Sequence, residues 1–259
     1  MLSVDERAHR NLCDFTRFCA RLDRGSALVD EYGVVAAIGP ADFPTARMAV
    51  RANDDLAPDA WAETVTELFA THGKTGCVFT RVGVDDPVTT ELANRGFREW
   101  AQTPEMVCEQ VLDARPPPPA VTLRFAESPG DVAEYARVAG EAFVHLSVPA
   151  EITRDAIDNP EVMLQPDCAI ALAEIDGTAV AGALAVILGD EPNGYIGWVA
   201  CTDEARGRGL GDVVTRAVTN EAFTRGAQLV TLEASPFGEH TYARMGYCEI
   251  YRYRVMIRL

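Results

Sequence analysis

A mixed α/β fold present in two similar copies is predicted by three observations on this 259-residue chain. Strand-like and helix-like periods alternate through its second half, and a glycine-rich turn there joins a strand to a helix. The end of the first half also repeats the end of the second.

The segment Arg115-Pro116-Pro117-Pro118-Pro119-Ala120 favours an extended spacer, because proline fixes φ and lacks an amide donor. It divides the chain into a first domain at 1–112, a linker at 113–120 and a second domain at 121–259. In the second domain, 121–127 reads as a strand and 129–143 as a helix with Val132, Tyr135, Ala136 and Ala139 on its apolar stripe. Strands are expected at 168–174 and 178–188, joined through the hairpin dipeptide Asp176-Gly177. Next come a strand at 195–201, a helix at 211–225 stopped by Gly226, and a strand at 229–234. A short helix at 239–245 is stopped by Gly246, and a last strand occupies 247–259.

Residues 92–100 lie over 242–250 without a gap, since both ends differ by 150, and at that offset Met106 meets Met256. Ala46, Met48 and Val50 likewise fall under Ile196, Trp198 and Ala200, with a helix expected at 59–72 and a strand at 76–82. The glycine-rich turn is not repeated. In its place the first half has Asn53-Asp54-Asp55-Leu56-Ala57-Pro58, whose negative charge would repel an anion.

With 48% hydrophobic and 24% charged residues the chain reads as an ordinary globular protein. A net charge of −16 argues against nucleic acid as a partner, because that affinity comes from lysine and arginine meeting phosphates. No apolar run approaches the roughly 20 residues of a membrane span, and no apolar segment follows a basic start, so a cytoplasmic protein without membrane contact is expected. Seven scattered cysteines (13, 19, 77, 108, 168, 201 and 248) lack the paired spacing of a zinc site or disulfide framework, and no metal is expected.

The chemistry concentrates in Arg206-Gly207-Arg208-Gly209-Leu210-Gly211-Asp212. Glycines let the backbone approach a ligand, the first helical turn offers unpaired amides, and the helix dipole and two arginines favour an anion such as a pyrophosphate. A P-loop would need Gly-Lys-Ser or Gly-Lys-Thr, which is absent. A dinucleotide turn would need glycine where Asp212 stands, and too few residues follow to complete a doubly wound sheet.

The pattern Arg206-x-x-Gly209-x-Gly211, with the strand Trp198-Val199-Ala200-Cys201 before it and Tyr242-Ala243-Arg244-Met245-Gly246-Tyr247 after it, resembles the GNAT superfamily of N-acetyltransferases. The resemblance covers 121–259 and extends weakly to 1–112, so it implies a tandem GNAT protein with a degenerate N-terminal copy. By that resemblance Val199, Ala200 and Cys201 would pair with the pantetheine arm of acetyl-coenzyme A (acetyl-CoA). Arg206, Gly207, Arg208, Gly209, Leu210, Gly211 and Asp212 would wrap its pyrophosphate, and Ser235 stands where relatives carry a coenzyme-binding asparagine. Asp212 departs from the residue types expected beside phosphate.

Tyr242 matches the family's general acid, although packing of a short helix would also account for it. Glu233 matches a general-base position; strand alternation puts it on a polar face with Thr231 and Ser235, and a water chain could replace it. Cys201, with no histidine nearby, reads as a strand residue presenting its backbone, and Trp61, Trp100 and Trp198 read as packing residues. The implied activity is direct acetyl transfer to a small-molecule or peptide primary amine by a monomer or homodimer. A non-catalytic coenzyme A-binding regulator and a nucleotide-dependent oxidoreductase are the competing classes.

Overall fold

The computed structural model describes residues 2–73 and 75–259. In chain order its elements are α1 (Val4–Leu22), β1 (Ala27–Glu31), β2 (Val34–Ile38), β3 (Arg47–Arg51), α2 (Pro58–Thr71), β4 (Gly76–Arg81), α3 (Asp86–Asn94), β5 (Arg98–Cys108), β6 (Val121–Phe125), α4 (Pro129–Phe143), α5 (Ala150–Ile157), α6 (Pro160–Met163), β7 (Cys168–Ile175), β8 (Thr178–Leu188), β9 (Asn193–Cys201), α7 (Leu210–Thr224), β10 (Val230–Glu233), α8 (Glu239–Met245) and β11 (Cys248–Arg258). They form two compact units. Unit 1 comprises Met1–Met106, Glu233–Pro236 and Glu249–Leu259, and unit 2 comprises Val107–Leu232 and Phe237–Cys248.

Both halves of the chain run through three antiparallel strands, a helix, a parallel strand, a shorter helix and a long strand. The repeated order β1-β2-β3-α2-β4-α3-β5 and β7-β8-β9-α7-β10-α8-β11 is the self-similarity visible in the sequence.

In unit 1 no element is predicted before residue 46, yet the chain opens on the 19-residue α1. Its start is fixed by a reciprocal cap: the Glu6 amide donates to Ser3 Oγ (3.2 Å), and the Glu6 carboxylate accepts from the Ser3 amide (2.7 Å). Strand order here is β1-β2-β3-β4-β11-β5. Trp61, Val65 and Phe69 of α2 pack with Val78, Leu92, Phe97 and Met256. Met256 marks a departure from the expected boundary, because residues 249–259 belong by contact to unit 1 and not to a domain at 121–259. β11 pairs antiparallel with β4, Tyr253 opposite Arg81 and Met256 opposite Val78. Chain order does not dictate which edge a final strand joins.

Unit 2 has strand order β10-β9-β8-β7-β6. Asp176 and Gly177 have φ of +50° and +76°, the left-handed pair of a type I′ hairpin. α4 buries Val132, Tyr135, Ala136 and Ala139 completely. The expected linker begins as part of this unit. The Leu112 amide donates to Asn220 Oδ1 (2.8 Å), Asn220 Nδ2 donates to the Leu112 carbonyl (2.9 Å), and Arg216 Nη1 donates to the Asp113 carbonyl (3.1 Å). No helix among the described residues is long and apolar enough to cross a membrane.

Unit 1 also encloses a polar network. His9 Nε2 lies 2.7 Å from the Arg51 carbonyl and must donate to it, which leaves Nδ1 to accept from the Tyr253 hydroxyl at 2.8 Å. Arg81 Nε grips Asp85 at 2.9 Å, and Tyr251 and Tyr253 hydroxyls lie 3.1 Å apart. Burial, and then the Arg81 charge, push the His9 pKa down to about 4. Between pH about 6.5, the unfolded value, and pH 4 the unfolded chain binds a proton that the folded chain refuses, so His9 makes stability fall as pH falls through that window. Urea unfolding of His9→Gln should therefore be less acid-sensitive: the stability gap to wild type should narrow by roughly 2–3 kcal/mol from pH 7 to pH 4.5. A gap independent of pH would show that His9 is not held neutral.

Candidate functional site

The site in unit 2 begins where β9 loses a neighbour. β9 pairs with β10 only at Gly194–Val230 and Tyr195–Thr231, while it stays paired with β8 as far as Cys201 opposite Ala181. Trp198 and Val199 together oppose Ala183, a two-against-one bulge, and Trp198 has φ +44°. That conformation is costly for a bulky residue. Fully buried Tyr135 holds it: its hydroxyl, 3.0 Å from the Trp198 carbonyl and 3.3 Å from that of Gly197, donates to this pair of acceptors. Gly182 makes room for the ring, since a Cβ there would lie 2.7 Å from Tyr135 Cδ2. The sequence shows Tyr135 only as one member of an apolar stripe; a tyrosine among alanines and valines was the available signal that a hydroxyl had a task.

Beyond the bulge, Val199, Ala200 and Cys201 lead through a 3₁₀ turn (Asp203–Ala205) into the glycine loop. Gly207 and Gly209 take φ of +74° and +78°, and α7 starts at Leu210 with no side-chain cap. Apart from that of Gly211, its first-turn amides are therefore open to an anion. Gly211 spends its amide on Cys201 Sγ, and burial pushes the Cys201 thiol up to about 11, so it is a neutral thiol near pH 7 and no nucleophile. Arg206 turns back to Asp203 (3.4 Å) and the Ala142 carbonyl (3.3 Å), whereas exposed Arg208 has no ion pair among the described residues. The unexpected acid Asp212 is answered by two arginines: Arg216 Nε at 2.5 Å and Arg115 Nη1 at 2.8 Å. The loop is thus net cationic within an acidic chain.

Tyr242 closes the other side of this unit's site. Its residue is 9% exposed, its hydroxyl has no hydrogen-bond partner among the described residues, and burial, followed by the Cys201 thiol nearby, raises its pKa above the ordinary phenol value. It is a protonated, uncommitted acid near the end of β9. Its ring centroid lies 6.1 Å from that of Tyr247, whose hydroxyl is 2.6 Å from that of Thr219. Gly238 is required beneath it, because a Cβ there would lie 2.5 Å from Tyr242 Cε2.

Glu233 and Ser235 count with unit 1. The Glu233 charge acts on Cys19, Tyr251 and Tyr253. Thr231, expected with Glu233 on the polar face of its strand, is fully buried, because this four-residue strand is covered on both faces. His240 is exposed, Trp61 is fully buried and Trp100 is 40% exposed. In unit 1, the segment in the place of the glycine loop is occupied by its own groups: Arg51 pairs with Asp54 (3.0 Å), Asn53 Oδ1 accepts from the Asp55 amide (3.0 Å), and α2 starts on proline. Among the described residues no cluster of His, Cys, Asp and Glu is arranged for a metal ion.

A family model described as acetyltransferase (GNAT) family matches residues 112–247, just over half of the chain, so the chain belongs to that family. Over the whole length it is similar in fold to a GCN5-related N-acetyltransferase from Kribbella flavida, with TM-score 0.72, 20% identity, and 97% of this chain and 95% of that one covered. A GCN5-related N-acetyltransferase from Sphaerobacter thermophilus gives TM-score 0.60 at 18% identity, covering 87% and 76%. A tandem GNAT protein from the clavulanic acid biosynthesis pathway gives TM-score 0.60 at 13% identity, covering 99% and 96%. These likenesses, with the repeated element order, establish a tandem GNAT fold. No curated protein matches the sequence.

Tyr135→Phe keeps the ring and removes the hydroxyl from the bulge. It should cost about 1 kcal/mol in urea unfolding and speed amide hydrogen exchange at 198–200 relative to the rest of β9. Unchanged protection there would mean that the bulge does not depend on this bond.

Proposed function

We propose that this protein is an N-acetyltransferase that moves an acetyl group from acetyl-CoA to a primary amine by direct attack in a ternary complex. One observation carries the reading: the bulged edge of β9 leaves β10, runs to Cys201, and delivers the chain into a cationic glycine loop capping α7. An extended pantetheine arm can add to such an edge as a strand does, with the pyrophosphate at Gly207, Arg208, Gly209, Leu210, Gly211 and Asp212. Arg206 braces the loop through Asp203, and Ser235 is a further coenzyme contact in this proposal.

In the reaction the amine nitrogen bonds to the thioester carbonyl carbon, and the carbon–sulfur bond breaks. Main-chain amides at the bulge, near Val199 and Ala200, stabilise the oxyanion. The departing thiolate takes its proton from Tyr242, and Glu233, or water, takes the proton that the nitrogen loses. Burial favours Tyr242 for this task by keeping it protonated beyond the ordinary phenol pKa of about 10. The N-terminal copy, whose corresponding segment is acidic, has no glycine and starts its helix on Pro58, has a structural role in this reading. Coenzyme bound there would refute that role.

Tyr242→Phe should lower kcat roughly 100-fold with acetyl-CoA affinity nearly unchanged. Equal activity would leave the hydroxyl no part in proton transfer and favour a coenzyme-binding protein that uses Tyr242 for packing. Glu233→Gln should reduce kcat and remove the acidic limb of the pH–rate profile, whereas an intact limb would assign proton removal to water.

A further inference from the structure

The segment preceding the catalytic fold is strapped along α7 residue by residue. Leu112 is held by Asn220, Asp113 by Arg216, and Arg115 by Asp212, so the strap runs antiparallel to the helix along a face that repeats every fourth residue. The strap ends over the glycine loop. The Arg115 guanidinium lies where a side chain on Gly209 would be, with Nη2 3.2 Å and Cζ 3.5 Å from the Cβ position. Only Nη1 is engaged among the described residues, on Asp212; Nε and Nη2 remain available, and the side chain is 52% exposed. Asp212 has a second, more buried partner in Arg216, 15% exposed, so its charge stays compensated if Arg115 moves.

We propose that Arg115 is a coenzyme-phosphate ligand contributed by the strap, which exchanges the Asp212 carboxylate for phosphate when acetyl-CoA binds. This rests on the acetyl-CoA reading of the same loop. A guanidinium is suited to the exchange because it can turn two parallel N–H groups onto a phosphate while Arg216 retains the carboxylate. Asp212 thereby acts as a stand-in anion: it parks Arg115 over the loop and keeps it extended toward the helix end. The proposal also gives a reason for an acid at a position where a phosphate site would otherwise avoid one.

Calorimetry on the full chain with acetyl-CoA and with dephospho-coenzyme A tests it, using wild type, Arg115→Ala, Asp212→Asn and the double variant. Arg115→Ala should weaken acetyl-CoA binding roughly tenfold, and because Arg115 is half exposed the fold should be retained, as checked by thermal unfolding. A loss shared by both ligands places the guanidinium on the pyrophosphate, and a loss confined to acetyl-CoA places it on the 3′-phosphate; either supports the assignment. Asp212→Asn should tighten binding only while Arg115 is present. Unchanged affinity in Arg115→Ala, or an Asp212→Asn effect indifferent to Arg115, would overturn the role of Arg115 while wild-type binding still stands. No heat from wild type with acetyl-CoA would instead overturn the coenzyme reading, and this role with it.

Discussion

The site depends on one local departure from regular sheet. β9 cannot remain paired to β10 and also offer its edge to a ligand, and the two-against-one bulge at Trp198–Val199 accompanies the separation. A non-glycine residue at φ +44° persists only where its surroundings over-determine it. Here the Tyr135 hydroxyl supplies acceptor satisfaction from below, and the absent side chain of Gly182 supplies the space. The helix that carries Tyr135 is secured in turn by a reciprocal cap, Ser128 with Asp131, which Arg124 reinforces at 2.7 Å.

Charge follows a similar logic of local compensation. The chain is strongly acidic, yet Asp212 in the first turn of α7 is met by two arginines, Arg216 and Arg115, while Arg208 in the preceding loop stays exposed without an ion pair among the described residues. The other half has the reverse arrangement, since its corresponding turn carries Asp54 and Asp55 and no glycine, with Asp54 paired to Arg51 and the Asp55 amide donating to Asn53 Oδ1. The two copies share an order of elements and differ in what their third-strand-to-helix turn can hold. That difference lies in a handful of side chains and two left-handed glycines.

Unit 1 directs its polar groups inward. His9, Tyr253 and Tyr251 are joined by short hydrogen bonds, Arg81 pairs with Asp85 on the strand position opposite Tyr253, and His9 is held neutral by burial. Such a network is costly if any member loses its partner. It ties the first helix to a strand drawn from the other end of the chain, because His9 lies in α1 and Tyr253 in β11.

The sequence by itself determined the alternation of elements from residue 168 onward, the Asp176-Gly177 hairpin, the glycine loop before α7 and the helix of Tyr242, because each is encoded by a period, a turn dipeptide or a backbone requirement confined to a few neighbouring residues. It also determined the repeat, through the uninterrupted offset between 92–100 and 242–250. Only the tertiary structure decided that β11 joins unit 1, that Tyr135 props the bulge, and that residues 112–115 lie along α7. These outcomes depend on which distant groups find one another, as with Leu112 and Asn220, and chain-local patterns do not record such pairings. Asp212 shows the boundary most clearly: read along the chain it is an acid misplaced beside phosphates, and in three dimensions it is the partner of two arginines.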